Sequence, residues 1–335
     1  MTTMRALLRL LLFTLVVLVI LALAAWGVRT YNLNRYAIPG PDLTDRDAVI
    51  ADHGGAPVDG DYLRGIHYPA EGDARPGTVV IFGGSEGSAA DAQARQISAR
   101  GHDVLALYFF GQPGQRDQLA EVPLDFFDEI LHWRDTNGAS GPLTVIGSSK
   151  GAELTANLAV RYPEIDHIVL YAPAEYTYAG LSFNSAQPPG SFTWRGEPVP
   201  HAPFTADPSV TFPMFSRLIL GLPTSYRDSY EAAASTAPDD AATDIARFTG
   251  DGLLFAGTED TMWQSEVATR ALANRNPDLE PVVFDAAGHL FHQDITTLGP
   301  SWEVMLGGTV DANRQARRES DRLLFEHLDQ WHPRC

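Results

Sequence analysis

The chain has 335 residues, with 42 acidic against 24 basic side chains and a formal charge of −18, which excludes a nucleic-acid binder, because phosphate contacts need clustered Lys and Arg. At 44% apolar and 20% charged, with 16 Phe, 11 Tyr and 6 Trp, the composition suits a packed core and excludes a disordered chain. The single cysteine, Cys335, closes the chain; an internal disulfide framework, a cysteine-ligated metal and a buried thiol nucleophile are ruled out, so any chemistry rests on oxygen or nitrogen.

In chain order, residues 1–9 form a short flank and Leu10 to Val28 carry no charge. As a helix rising about 1.5 Å per residue, this run approaches the roughly 30 Å hydrocarbon thickness of a bilayer. It is longer than a typical signal h-region, which favours a single-pass anchor; a cleaved signal, for which Ala22-Leu23-Ala24 offers small residues, is the competing reading. Arg5 and Arg9 precede the run and Arg29 and Arg35 follow it. The additional amino-terminal charge tips the expected orientation toward an extracytoplasmic body. Residues 29–61, rich in Pro, Gly and Asp as in Ile38-Pro39-Gly40-Pro41-Asp42, read as a spacer.

A strand–helix alternation follows within residues 62–335. Short apolar runs closed by glycine read as buried parallel strands at Thr78 to Phe82, Val104 to Phe109, Leu143 to Ile146, Ile165 to Tyr171, Gly252 to Ala256 and Val282 to Asp285. Helical segments fall at Ala89 to Arg100, around Leu124 to Arg134, up to Ala159, at Glu266 to Asn274 and at Asp311 to Leu328. This order implies a mostly parallel sheet with right-handed crossovers and helices on both faces. The rhythm breaks from Pro173 to Asp251, a lid-like insertion rich in proline and aromatic residues.

Two segments fit G-x-S-x-G, around Ser85 and around Ser149. Acyl transfer needs a hydroxyl held at a tight strand-to-helix turn, where flanking glycines avoid clashes, and the hydrolase order places the oxyanion loop at the earlier turn and the nucleophile two strands later. The spacing therefore assigns attack to Ser149 and oxyanion binding to backbone N–H groups of Lys150 and of the Gly84-Ser85-Glu86 turn. Ala152, Ala156 and Ala159 suit a helix packed closely on the sheet; Lys150 and Glu153 read as structural or solvated charges. A serine needs a base, and an acid and then a histidine should follow in loops after late strands. Asp260 and His289 occupy those places, with Glu259 and His292 as rivals, while His102 and His167, each just before a strand, read as surface or edge residues. No metal-ligand spacing, dinucleotide fingerprint or phosphate loop is present, so no metal or cofactor is expected.

Gly83-Gly84-Ser85-Glu86-Gly87, Ile146-Gly147-Ser148-Ser149-Lys150-Gly151-Ala152-Glu153-Leu154, Trp194-Arg195-Gly196-Glu197-Pro198-Val199-Pro200, Asp260 with Trp263 and Ser265, and Ala287-Gly288-His289 together resemble the catalytic domain of acyl-CoA thioesterases and bile acid-CoA:amino acid N-acyltransferases. The resemblance covers about residues 62–330. It implies an α/β-hydrolase fold, a Ser149/Asp260/His289 triad acting through an acyl-enzyme on an acyl thioester or ester, and substrate contacts at Trp194 and Trp263. Serine at 149 favours hydrolysis over transfer to an amine, since amide-forming members tend to use cysteine. Two departures stand out: Gln264 replaces a usual proline, and only the anchor and spacer stand where mammalian members carry an immunoglobulin-like domain. Phe183, Phe192, Trp194, Phe204, Phe212 and Phe215 of the insertion are expected to shape an acyl pocket.

Overall fold

A computed structural model describes residues 2–37, 42–182 and 187–334; residues 38–41, Phe183, Cys335 and the Arg5 side chain lie outside the described residues. The chain opens with helix α1, Thr2–Arg35. Its segment Arg9–Arg35 is long and apolar enough to cross a bilayer, with a mean hydropathy of 2.8 in its most apolar window and none of that window buried. A helix of this kind near an amino terminus also fits a signal sequence.

The segment read as a spacer folds in part. Residues Arg46–His53 form α2, capped by Asp45, whose carboxylate accepts from the Ala48 N–H. Strand β1, Ala56–Asp59, pairs antiparallel with β2, Arg64–Tyr68. The Pro/Gly/Asp composition hid these elements because an edge strand needs only one buried side chain, here Val58. The body then alternates through β3 (Thr78–Phe82), α3 (Asp91–Ser98), β4 (Val104–Tyr108), the short β5 (Val122–Pro123), α4 (Phe127–Thr136), β6 (Leu143–Ser148), α5 (Lys150–Ala159) and β7 (His167–Tyr171). Within the insertion lie β8 (Phe192–Trp194), β9 (Glu197–Pro198), α6 (Pro208–Ile219) and α7 (Arg227–Ser235). The alternation resumes with β10 (Asp251–Gly257), α8 (Ser265–Arg275) and β11 (Leu279–Phe284), and closes with α9 (Trp302–Met305) and α10 (Val310–Trp331).

The eight strands of the main sheet run in the order β1-β2-β4-β3-β6-β7-β10-β11. Only β1–β2 and β2–β4 pair antiparallel; all other neighbours are parallel. Every residue of β3, β4 and β6 is buried, which explains their mostly apolar sequences: Val80 and Phe82 pack into the core on one face, Val79 and Ile81 into the core on the other. Strand β11 starts three residues earlier than its apolar run because Pro281, which lacks an N–H, is tolerated on an edge strand.

His102, read as a surface or edge residue, departs from expectation, and it is not the only buried imidazole. His102 is 1% exposed, and burial pushes its imidazole down to about 3; His292 is pushed down to about 4, first by burial and then by the neighbouring His289. Burial also holds His167 and His332 below the usual value of 6.5. These rings stay neutral in the folded chain while unfolded ones take a proton below about 6.5. The contribution to stability is thus complete above pH 6.5 and is lost as the pH falls from there toward 3. We expect the thermal midpoint of the full chain in detergent to fall between pH 7 and pH 5, and His102→Phe to flatten that slope; an unchanged slope in the variant would contradict the assignment to His102.

Candidate active site

Ser149 stands between β6 and α5 with φ 55° and ψ −120°, a positive-φ conformation that costs energy for any residue bearing a side chain. Glycine is required on either side of it. A Cβ at Gly151 would lie 2.0 Å from the Gly83 carbonyl oxygen, and one at Gly147 would lie 2.1 Å from the Gly151 oxygen. The whole of α5 is buried against the sheet, so its alanines permit the close approach. The Ser149 N–H donates to the Tyr171 oxygen at the end of β7, 2.8 Å away, fixing the turn on the sheet.

The loops after β10 and β11 are brought onto this turn. The Glu259 N–H donates to the Ala287 oxygen (2.9 Å), and a Cβ at Gly257 would lie 2.2 Å from that same oxygen. The His289 N–H donates to Leu306 O at 2.7 Å, and the Gly288 N–H to Asn313 Oδ1 at 2.8 Å. Held this way, His289 Nε2 lies 2.8 Å from Ser149 Oγ and His289 Nδ1 lies 2.8 Å from Asp260 Oδ2. A carboxylate only accepts, so the Nδ1 proton points to Asp260 and Nε2 is left to accept from the serine hydroxyl. Asp260 is 1% exposed and its carboxylate is fully occupied: Oδ2 also accepts from Ser265 Oγ (2.5 Å), and Oδ1 accepts from the N–H groups of Met262 (2.8 Å) and Trp263 (3.2 Å). Glu259 is exposed and directed away, while His292 packs against Tyr171 with ring centroids 5.5 Å apart. Neither rival joins the chain of hydrogen bonds.

The other expected residues separate into two groups. Gly84 and Ser149 meet, a Cβ at Gly84 lying 3.3 Å from that of Ser149, but the Gly84 N–H donates to Glu86 Oε1 at 3.0 Å. It is therefore not free to face an oxyanion, whereas no described residue accepts from the Ser85 N–H. Ser85 itself is exposed, and its hydroxyl bonds to no histidine among the described residues. Trp263 is 2% exposed, lies edge-on to the His289 ring at 5.5 Å and donates from Nε1 to Ala172 O (3.1 Å). It packs against the imidazole. Trp194 lies elsewhere, against Tyr162 beyond the carboxyl end of α5, because β8 runs beside β5. There it lines a cavity of about 270 Å³ with Asn157, Arg161 and Arg247, and this cavity holds none of the groups around Ser149.

Nor do the insertion aromatics converge on Ser149. Phe192 is in the body core, Phe204 packs on Tyr230 at 5.1 Å, and Phe212 and Phe215 are 73% and 52% exposed. The insertion reaches the elbow helix by polar groups, the Ser191 hydroxyl and the Tyr178 backbone N–H. Lys150 Nζ donates to Glu153 Oε2 (2.8 Å) and Ser191 Oγ (2.9 Å), and Glu153 Oε1 accepts from the Tyr178 N–H (3.0 Å). Both charges are 1% exposed; burial pushes the Lys150 ammonium down and the Glu153 carboxyl up, each opposed by the partner's charge. They are structural, as expected, but buried where a solvated pair was the alternative. Arg227 of α7 had no sequence signal: it donates to the Asp260 carbonyl (2.8 Å) and pairs with Glu266 (2.5 Å), bracing the acid's loop from outside.

Similarity to known proteins agrees with this frame. Over 278 residues the chain is 26% identical to the bile acid-CoA:amino acid N-acyltransferase of Mus musculus, an alignment spanning 78% of this chain and 61% of that protein. An esterase from Pyrococcus furiosus superposes with a TM-score of 0.51 at 15% identity, covering 84% of this chain and 94% of its own. Carboxyl esterase 2 from the mycorrhizal fungus Tuber melanosporum gives a TM-score of 0.51 at 13% identity, covering 83% and 87%. These structures share the α/β-hydrolase fold. Residues 122–296, which carry the elbow, the insertion and both late loops, match the family described as BAAT / Acyl-CoA thioester hydrolase C terminal, and the chain belongs to that family.

Proposed function

We propose that this protein is a membrane-anchored serine hydrolase that cleaves an acyl thioester through a covalent acyl-enzyme. The observation that carries the reading is the unbroken chain Ser149 Oγ, His289 Nε2, His289 Nδ1 and Asp260 Oδ2, with 2.8 Å at both contacts, set on a strained turn. Ser149 Oγ attacks the acyl carbonyl carbon as its proton passes to His289 Nε2. The tetrahedral oxyanion accepts from the Lys150 N–H and from the Ser85–Glu86 backbone, donors that typically contribute about 100 to 1,000-fold in rate. Collapse breaks the carbon–sulfur bond, and the leaving thiolate takes the proton from His289. Water then attacks the acyl-serine with His289 as base, releasing the carboxylic acid and restoring the hydroxyl.

Asp260 holds the imidazole in the tautomer this sequence needs, and Trp263 holds its plane. With the Lys150 ammonium bound to Glu153 and Ser191, only its amide serves the reaction. In this reading α1 spans the bilayer and the body lies on the extracytoplasmic side. Rates for palmitoyl-CoA against p-nitrophenyl esters, measured on the full chain in detergent, test the substrate class: a clear preference for the thioester is expected, whereas faster turnover of oxygen esters would make the protein a carboxylesterase with the same three residues. Formation of an amide when glycine or taurine is added would favour acyl transfer to an amine.

A further inference from the structure

The amphipathic helix α6 turns an apolar face outward. Phe212, Phe215 and Ile219 follow at i, i+3 and i+7, so they share one side of the helix, and they are 73%, 52% and 64% exposed. The opposite side carries Met214, whose sulfur accepts from Ser229 Oγ of α7 at 3.4 Å. An isolated exposed apolar residue is ordinary on a protein surface; three on one helical face call for a covering.

What covers them is indicated by the attachment of α6. Arg29 Nη1 donates to the carbonyl oxygens of Leu218 (2.7 Å) and Ile219 (3.1 Å), and Asn32 Nδ2 donates to Leu220 O (2.8 Å). The orphan carbonyls at the carboxyl end of α6 are thus satisfied by side chains of α1. Gly221 lies so close that a Cβ there would be 2.9 Å from the Arg29 oxygen. Arg29 immediately follows the uncharged run Leu10 to Val28, and Trp26 and Tyr31, 67% and 62% exposed, flank it. An apolar span ending in an arginine between aromatic side chains marks the headgroup level of a bilayer. The end of α6 is therefore pinned at that depth. Charge agrees: in a chain with 42 acidic residues, none falls between Pro208 and Arg227, and Arg217 is the one charge within α6.

We propose that α6 is a second membrane contact, lying in the interface of the bilayer that α1 crosses, with Phe212, Phe215 and Ile219 seated among the lipid acyl chains. The proposal rests on α1 being a membrane span, and the test separates the two. In full-length protein bearing Cys335→Ser, single cysteines at Phe215→Cys or Ile219→Cys on α6, Leu18→Cys in α1 and Glu326→Cys on α10 are labelled with an environment-sensitive fluorophore. The protein is reconstituted into phosphatidylcholine–phosphatidylglycerol vesicles with or without spin-labelled lipid. Blue-shifted emission quenched by the spin-labelled lipid is expected at 215, 219 and 18, and water-like, unquenched emission at 326. Quenching at 18 with water-like emission at 215 and 219 would leave the anchor standing and overturn the interfacial helix. Absence of quenching at 18, 215 and 219 would remove both. A blue shift at 215 and 219 without lipid quenching would mean that protein, such as a second copy of this chain, covers the face, and would also overturn the proposal.

Discussion

Ser149→Ala is expected to abolish labelling by a fluorophosphonate probe and to lower kcat by about four to six orders of magnitude, leaving only what binding and the oxyanion donors supply. The size of the loss follows from the absence of a substitute. The neighbouring Ser148 hydroxyl is buried at the end of β6 without a hydrogen-bond partner among the described residues, and Ser85 bonds to no described histidine. Alanine keeps the fold, since it removes one oxygen and leaves the glycines that make the elbow possible. Ser85→Ala serves as the comparison: it retains much of the activity because only the amide at 85 is used. A loss equal to that of Ser149→Ala would place the nucleophile at the earlier turn and end the assignment. Peptide mapping of the labelled serine reads the same question directly.

Asp260→Asn is expected to lower kcat by about four orders of magnitude with little change in fold. The substitution is nearly isosteric, yet an amide nitrogen presented to His289 Nδ1 turns an acceptor into a donor. The ring then carries its proton on Nε2 and meets the serine hydroxyl with a donor instead of a base. The arrangement around Asp260 amplifies this, since Ser265 Oγ also needs an acceptor at Oδ2 and two backbone N–H groups need one at Oδ1. Glu259→Gln is the paired control and is expected to leave kcat near its original value, because the Glu259 carboxylate is exposed. Equal losses in the two variants would show that the loop tolerates no change and would count against a specific role for Asp260. Thermal midpoints separate damage to the fold from damage to the chemistry.

The parallel strands are legible because burial on both faces favours runs that are mostly apolar and β-branched, as in Thr78–Phe82 and Leu143–Ser148, where the only hydroxyls are Thr78, Thr144 and Ser148. The elbow and the two late loops are legible because glycine marks turns that a Cβ would block. Elements with one weak requirement are not. Strand β1 buries only Val58; α2 has one buried residue, Val49; and α6, interrupted by Pro213 and with its apolar face outward, gives no core-facing period to read. The histidines illustrate the same limit: position before a strand put His102 on an edge, while packing beside His332, with ring centroids 5.3 Å apart, buries it.

Residue order alone determined the fold class, the apolar amino-terminal run and the three residues that meet, because each depends on local constraints: strand burial, helix length, and loops at the ends of adjacent strands. Only the tertiary structure decided between neighbours that sequence treats alike. It turned Asp260 inward and Glu259 outward, set the Gly84 N–H against Glu86, carried Trp194 to the far end of α5 and left Trp263 against the imidazole. It also placed α6 against Arg29. Those outcomes depend on hydrogen bonds and packing between segments far apart in the chain, such as Arg227 with Asp260 and Asn313 with Gly288, and no local pattern encodes them.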